Sequence, residues 1–292
     1  MNVQAKEPAR RPNPPRATPR FQINRRQFAL ILFLLAVLSL TAVAIAGDRC
    51  ASIAMETDFT QKNLAPCLSH PFGTDWMGRD MLARTLTGLS LSVRLGLLTA
   101  TASAAIAALM GSAAAMNKTL DALFSWLIDL VMGVPHILLL ILISFACGRG
   151  FRGVVIGVTL SHWMSLARVI RSEVLQLKQS AYVQIAAKLG ASHLRIVLRH
   201  MVPNLLPQFL VGLVLLFPHA ILHEASITFL GFGLPPEQPA VGIILSESMQ
   251  YLVMGRWWLA VFPGLLLVTG VLLFGVAGNC LRSLTNPASA NE

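Results

Sequence analysis

YVQIAAKLGASHLRIVLRHMVPN, residues 182–204, separates two long apolar runs and is itself too polar for hydrocarbon. Apolar residues recur at Tyr182, Ile185, Ala186 and Leu189, the i, i+3, i+4, i+7 spacing of one helical face. Gly190 interrupts the pattern. It resumes at Leu194, Val197, Leu198 and Met201, with Arg195 and Arg199 on the other side, and Pro203 follows where the next apolar run opens. The spacing predicts two short amphipathic helices hinged at a glycine. One reading of such an element is a loop lying on lipid headgroups, steadied by its basic residues. The sharper reading is a rigid plug that docks into another protein and passes movement to the helices on either side.

Outward from this stretch the chain is a series of apolar blocks. Of 292 residues 55% are hydrophobic and 12% charged, with a mean hydropathy of +0.65. That charged fraction is about half the usual soluble value, so the class is a polytopic all-α membrane bundle. Six candidate transmembrane helices lie at 28–46, 93–116, 122–146, 153–172, 204–222 and 257–281, each near the length that crosses roughly 30 Å of hydrocarbon. Only helices satisfy their own backbone polar groups there without closing a barrel. The third run carries Asp129 and Pro135, and a carboxylate at that depth is expected to face protein rather than lipid. The first run, 28–46, is long enough to span and follows a 27-residue arm, so it reads as an uncleaved anchor rather than a signal peptide.

With the N-terminus inside, 15 Lys and Arg fall on inner segments and 8 on outer ones, so the positive-inside bias puts both termini in the cytoplasm. The expected organisation is a disordered basic arm at 1–27, the first span, an extracytoplasmic segment at 47–92, and a five-helix core at 93–282. Within that core 173–203 is a cytoplasmic loop, and 283–292 forms a cytoplasmic tail.

Several functions are excluded. The net charge of +10 is concentrated in the arm, and no basic face interleaves with aromatics as nucleic-acid binding requires. The four cysteines (Cys50, Cys67, Cys147 and Cys280) form no ligand spacing for structural zinc. Cys50 and Cys67 share one connecting segment, where pairing in an oxidising compartment and lone thiols both remain open. The chain contains neither a GxxxxGK[ST] phosphate loop nor a GxSxG nucleophile turn, so no catalytic residue is expected in it.

The 182–204 stretch resembles the EAA loop of ABC importer permeases: EAA, three residues, glycine, nine residues, Ile, one residue, Leu-Pro. In register, Gln184, Ile185 and Ala186 stand at the EAA positions, Gly190 at the glycine and Val202-Pro203 at Leu-Pro. Gln184 replaces Glu, Ile185 replaces Ala, and His200 replaces Ile. HPFGTDWMGRDMLARTLTGLSLSVRLGL from His70 is similar to a segment of the dipeptide, oligopeptide and nickel permeases. So are IDLVMGVPHILLLI from Ile128, with Trp126 where Arg is common, and EASITFLGFGLPPEQPAVGIILSES from Glu224, with Val241 for Trp. The resemblance implies a type I importer permease fold in the bacterial inner membrane. It also implies a homologous second permease, ATP-binding subunits carrying ATP and Mg²⁺, and an extracytoplasmic solute-binding protein. Tyr182, Gln184, Ile185, Ala186, Gly190, Arg195 and Pro203 then belong to the loop that couples to the ATPase.

For the cargo, His219 and His223 are four apart and share a helical face, and His162 follows Ser161 in the fourth run. Such a pair suits a borderline metal such as Ni²⁺, although packing near a helix end explains it equally simply. The stretch around His162 is similar to the nickel branch of the family, so nickel or a metal chelate is the expected cargo, with di- or oligopeptides as the alternative. Asp129 either helps gate the pathway or sits in a structural hydrogen-bond network with the partner permease. A passive channel is the competing class; it needs no docking element and a polar pore stripe, which the sequence lacks.

Overall fold

The computed structural model describes residues 25–285; the basic arm before Arg25 and the last residues of the tail lie outside the described residues. The elements are α1 (Arg25–Arg49), α2 (Met81–Met116), α3 (Lys118–Met132), α4 (His136–Ala146), α5 (Gly150–Gln179), α6 (Ala181–Lys188), α7 (His193–Ile196), α8 (Val202–Phe229), α9 (Val241–Leu252) and α10 (Trp258–Thr285). Among the described residues there is no strand, only an isolated bridge between Thr74 and Asp80.

Five helices are long and apolar enough to cross a membrane, and α3 and α4 together make a sixth crossing if taken as one bent span. Their axes meet at 99°, so the interrupted span expected at 122–146 is two helices. Pro135 is the cause. It has no amide to donate, and its ring disfavours helical backbone at Val134; Pro135 itself is extended, with ψ 124°, before α4 begins. At the other end Asn117 starts α3 by accepting the Thr119 amide at 2.8 Å on its side chain.

α2 is the central post. It packs against α5, α1 and α8, while α10 joins α1, α8 and α9. Between α2 and α5 small residues allow close approach: Gly111 lies against Ala167, both buried, and Ser103 donates to Thr159 O at 3.0 Å. In lipid, where apolar surface alone gives no drive to associate, such close approach maximises packing. A Cβ on Gly111 would lie 2.6 Å from the Ala167 carbonyl oxygen and 3.2 Å from Ile170 Cβ. Gly111→Val is therefore expected to lower stability by about 1–3 kcal/mol, read as a lower midpoint of unfolding in mixed micelles. Phe217 of α8 and Phe274 of α10 stack at 4.9 Å and close the other side of the core. α1 turns Leu34, Leu35 and Leu38 outward, an apolar surface suited to lipid.

Two helices run well beyond their apolar windows. α2 begins at Met81 rather than 93, and α8 continues past 222 to Phe229. The added turns carry polar residues that hydropathy discounts, and the fold buries them in pairs. Arg84, 1% exposed, donates to Asp75 at 2.6 Å and to Glu247 at 3.0 Å; Arg79 donates to the same Asp75 oxygen at 2.6 Å. Glu224, fully buried, accepts from Ser92 at 2.7 Å and from Thr228 at 3.0 Å. These groups clamp the 75–84 segment onto α9 and the far end of α8 onto α2. Helix α9, in the segment that follows α8, has no counterpart among the predicted spans.

Candidate functional site

Two features stand out: an apolar ledge at one end of the bundle and a cavity in its middle.

The ledge is the 181–201 segment. α6 ends in a Schellman turn, in which the Ala191 amide donates to Ala186 O at 3.1 Å and the Gly190 amide to Ala187 O at 3.1 Å. Gly190 takes the left-handed conformation this turn requires, with φ +81°. Beyond it the structure departs from the expected second short helix. α7 is four residues long and runs through a single π turn, Val197–Met201, straight into α8. The π turn lies just ahead of Pro203, in the first turn of α8, whose missing amide and bulky ring a regular helix does not accommodate. From His193 onward the ledge is thus one continuous rod with α8.

One face of the ledge is fastened down: Val183, Ile196 and Met201 are buried, and Lys178 donates to Ala115 O at 2.9 Å beside them. The other face is open. Tyr182, Ile185, Leu194 and Leu198 are exposed, and Leu189 is 82% exposed. Of the other expected residues, Gln184, Arg195 and Pro203 are exposed and Ala186 is half-buried. The Gln184 side chain donates to Gln179 O at 3.1 Å.

The cavity, about 720 Å³, opens where the α3–α4 break turns away from α5 and α8. His162, His219 and His223 line it. The grouping differs from the expected His219–His223 pair. His223 meets His162 and His136, with ring centroids 5.0 Å and 4.4 Å away, and His136 lies 4.8 Å from His162. His219 contributes its main-chain carbonyl, which accepts from His223 Nδ1 at 2.7 Å. The four-residue spacing that suggested a side-chain pair instead makes a side-chain to backbone bond along one helix. His136 escaped the sequence reading because nothing in an apolar run marks one histidine; its only signal is its place directly after Pro135.

Asp129 is elsewhere. It pairs with Arg168 in a separate cleft of about 240 Å³, away from the histidines, and its side chain is 70% exposed on this chain. Asp121 and Arg171 form a second ion pair beside it, at 2.6 Å. All four cysteines are free thiols in the structure, Cys50 and Cys67 included.

Residues 103–288, more than half of the chain, match the family described as binding-protein-dependent transport system inner membrane component. A Brucella suis biovar 1 (strain 1330) protein named as a peptide transport system permease is 37% identical over 270 residues, covering 92% of this chain and 90% of the relative. The dipeptide transport system permease protein DppC of Bacillus subtilis (strain 168) is 30% identical over 229 residues, 78% of this chain and 72% of its own. The oligopeptide transport system permease protein OppC of the same organism is 32% identical over 232 residues, 79% and 76%. Among solved structures, an inward-facing MetNI methionine ABC transporter chain superposes with a TM-score of 0.59 at 19% identity, covering 70% of this chain and 98% of that one. At that identity the likeness establishes the type I importer fold and nothing finer.

Proposed function

Because the chain belongs to the family of binding-protein-dependent transport system inner membrane components, the non-catalytic permease subunits of ABC importers, we propose that it moves short peptides across the bacterial inner membrane. The energy comes from ATP hydrolysed, with Mg²⁺, in separate subunits. The observation that carries this reading is the ledge at 181–201: fastened to the bundle on one face, apolar and exposed on the other, and continuous with α8. An exposed apolar face on a rigid element calls for a protein partner. An ATP-binding subunit seated on Ile185, Leu189 and Leu194 transmits its closure through Gly190 into α8. Opening and closing of the cavity beside α8 then alternates between the two sides of the membrane. Lys178, Lys188, Arg195 and Arg199 cluster at this end, which supports a cytoplasmic ledge and cytoplasmic termini. A homologous second permease completes the pathway, and an extracytoplasmic binding protein delivers the cargo.

The peptide reading, the alternative to the nickel or metal-chelate cargo expected from the histidines and the resemblance around His162, is supported by the relatives at 30–37% identity, which are named for peptide transport. The test is uptake into vesicles containing the permease pair, the ATP-binding subunits and the binding protein. Labelled di- to pentapeptides are expected to accumulate only with ATP and only with the binding protein present. Accumulation without the ATP-binding subunits would establish a passive channel instead, and uptake of a nickel chelate in preference to every peptide would restore the metal cargo.

A further inference from the structure

We propose that His136, His162 and His223 form a binding site for a divalent transition metal in the cavity wall. The three side chains come from three helices: His136 opens α4, His162 lies mid-way along α5, and His223 is in the last third of α8. One ring nitrogen of each lies within 4.8 Å of the other two.

The hydrogen bonds fix where the ring protons sit on two of the three histidines. His162 Nδ1 is 2.8 Å from Val158 O, and His223 Nδ1 is 2.7 Å from His219 O. A carbonyl only accepts, so both Nδ1 atoms carry the proton and both Nε2 atoms present a lone pair. This is the arrangement of metal-bound histidines, whose second nitrogen donates to a backbone carbonyl and thereby fixes ring orientation and tautomer. The third ring supplies an independent sign. His136 Nε2 is buried and has no hydrogen-bond partner. A ring nitrogen enclosed in this way needs a partner, and a cation supplies one. His162 Nε2 has only a 3.3 Å approach from His223 Nδ1, the long arm of a bond whose short arm goes to His219 O.

Metal–nitrogen bonds of roughly 2.0–2.1 Å in a tetrahedral site set nitrogens about 3.3 Å apart. The rings therefore draw in by about 1.5 Å, within the reach of side-chain rotation at the edge of a cavity. Three neutral imidazoles with no thiolate or carboxylate suit Zn²⁺, Ni²⁺ or Cu²⁺ rather than Mg²⁺ or Ca²⁺. All three histidines line the cavity, so a fourth ligand would come from water or from a donor atom of whatever the cavity holds. The site depends on this chain alone and not on the peptide reading of the cargo.

The experiment uses the full-length chain co-produced with its partner subunits, carrying a tag without histidines, stripped with chelator and dialysed against Zn²⁺. One Zn²⁺ per chain is expected above the level of the His136→Ala/His162→Ala/His223→Ala variant. Co²⁺ in its place is expected to give the intense visible bands of four-coordinate geometry. His162→Ala is expected to weaken binding by at least about 100-fold, the upper end of what loss of an outer partner alone costs. His136→Ala, at the half-buried edge, does the same if His162→Ala fails to fold. His219→Ala keeps the carbonyl and is expected to bind as the unaltered chain does. Zn²⁺ uptake equal to that of the triple variant, or an equal loss in His219→Ala and His136→Ala, would overturn the site, whereas failure of peptide uptake would leave it untouched.

Discussion

Gly190→Val is expected to leave the protein inserted and its ATP-binding partners hydrolysing, while peptide uptake falls by about tenfold or more. Gly190 has φ +81° and nothing within 4 Å of where a Cβ would stand. The whole penalty is therefore in the backbone, about 1–2 kcal/mol for a left-handed conformation and more for a β-branched side chain. The segment relieves it by leaving that conformation, which breaks the two turn bonds from Ala191 to Ala186 and from Gly190 to Ala187. α6 then loses its fixed angle to the α7–α8 rod. Because α6 still presents Ile185 and Leu189, docking survives better than transmission. Hydrolysis and uptake measured in the same vesicles separate the two. Gly190→Asn, which tolerates the left-handed region, is expected to restore most of the uptake. A valine variant that transports at the unaltered rate would show that the angle at Gly190 carries no force.

Arg84→Ala is expected to destabilise the chain by about 3–5 kcal/mol, the cost of removing one partner from a buried ion pair. Asp75, Arg79, Arg84 and Glu247 balance two charges of each sign, and the first three are nearly enclosed. Without Arg84, Asp75 shares only Arg79, and one negative charge is left uncompensated beside α9. Glu247 keeps 26% of its side-chain exposure and so retains some water. That places the effect towards the lower end of the range. Unfolding midpoints in mixed micelles give the magnitude. The Arg84→Ala/Glu247→Ala variant is expected to be less destabilised than the sum of the two single changes, because each single change strands the other's charge. Additive losses would mean the two residues are independent, and the clamp between the 75–84 segment and α9 would have to be sought elsewhere.

Much of this architecture is readable along the chain because a bilayer imposes local rules. An apolar run of about 20 residues has few options besides a helix, and the segments at 28–46, 93–116, 153–172 and 204–222 lie within observed helices, as does 257–281 from its second residue on. Gly190, set between two amphipathic patterns, is equally local: its positive φ follows from the turn that ends α6. The motif at 182–204 together with those at 70, 128 and 224 was enough to identify the family. Other features depend on partners far away in sequence. The extra turns of α2 and α8 are polar to a hydropathy window and become helix only because Arg84 finds Glu247, 163 residues away, and Ser92 finds Glu224, 132 away. That α7 is the beginning of α8 rather than a separate helix is decided by how the backbone absorbs Pro203. The histidine grouping belongs to the same class. Spacing along one helix pairs His219 with His223, whereas the fold spends that spacing on a backbone bond and brings in His136 from across the Pro135 break. Local pattern determines which segments are helices, since their backbone bonds close within four residues. Which buried polar side chains meet is settled only when those helices pack.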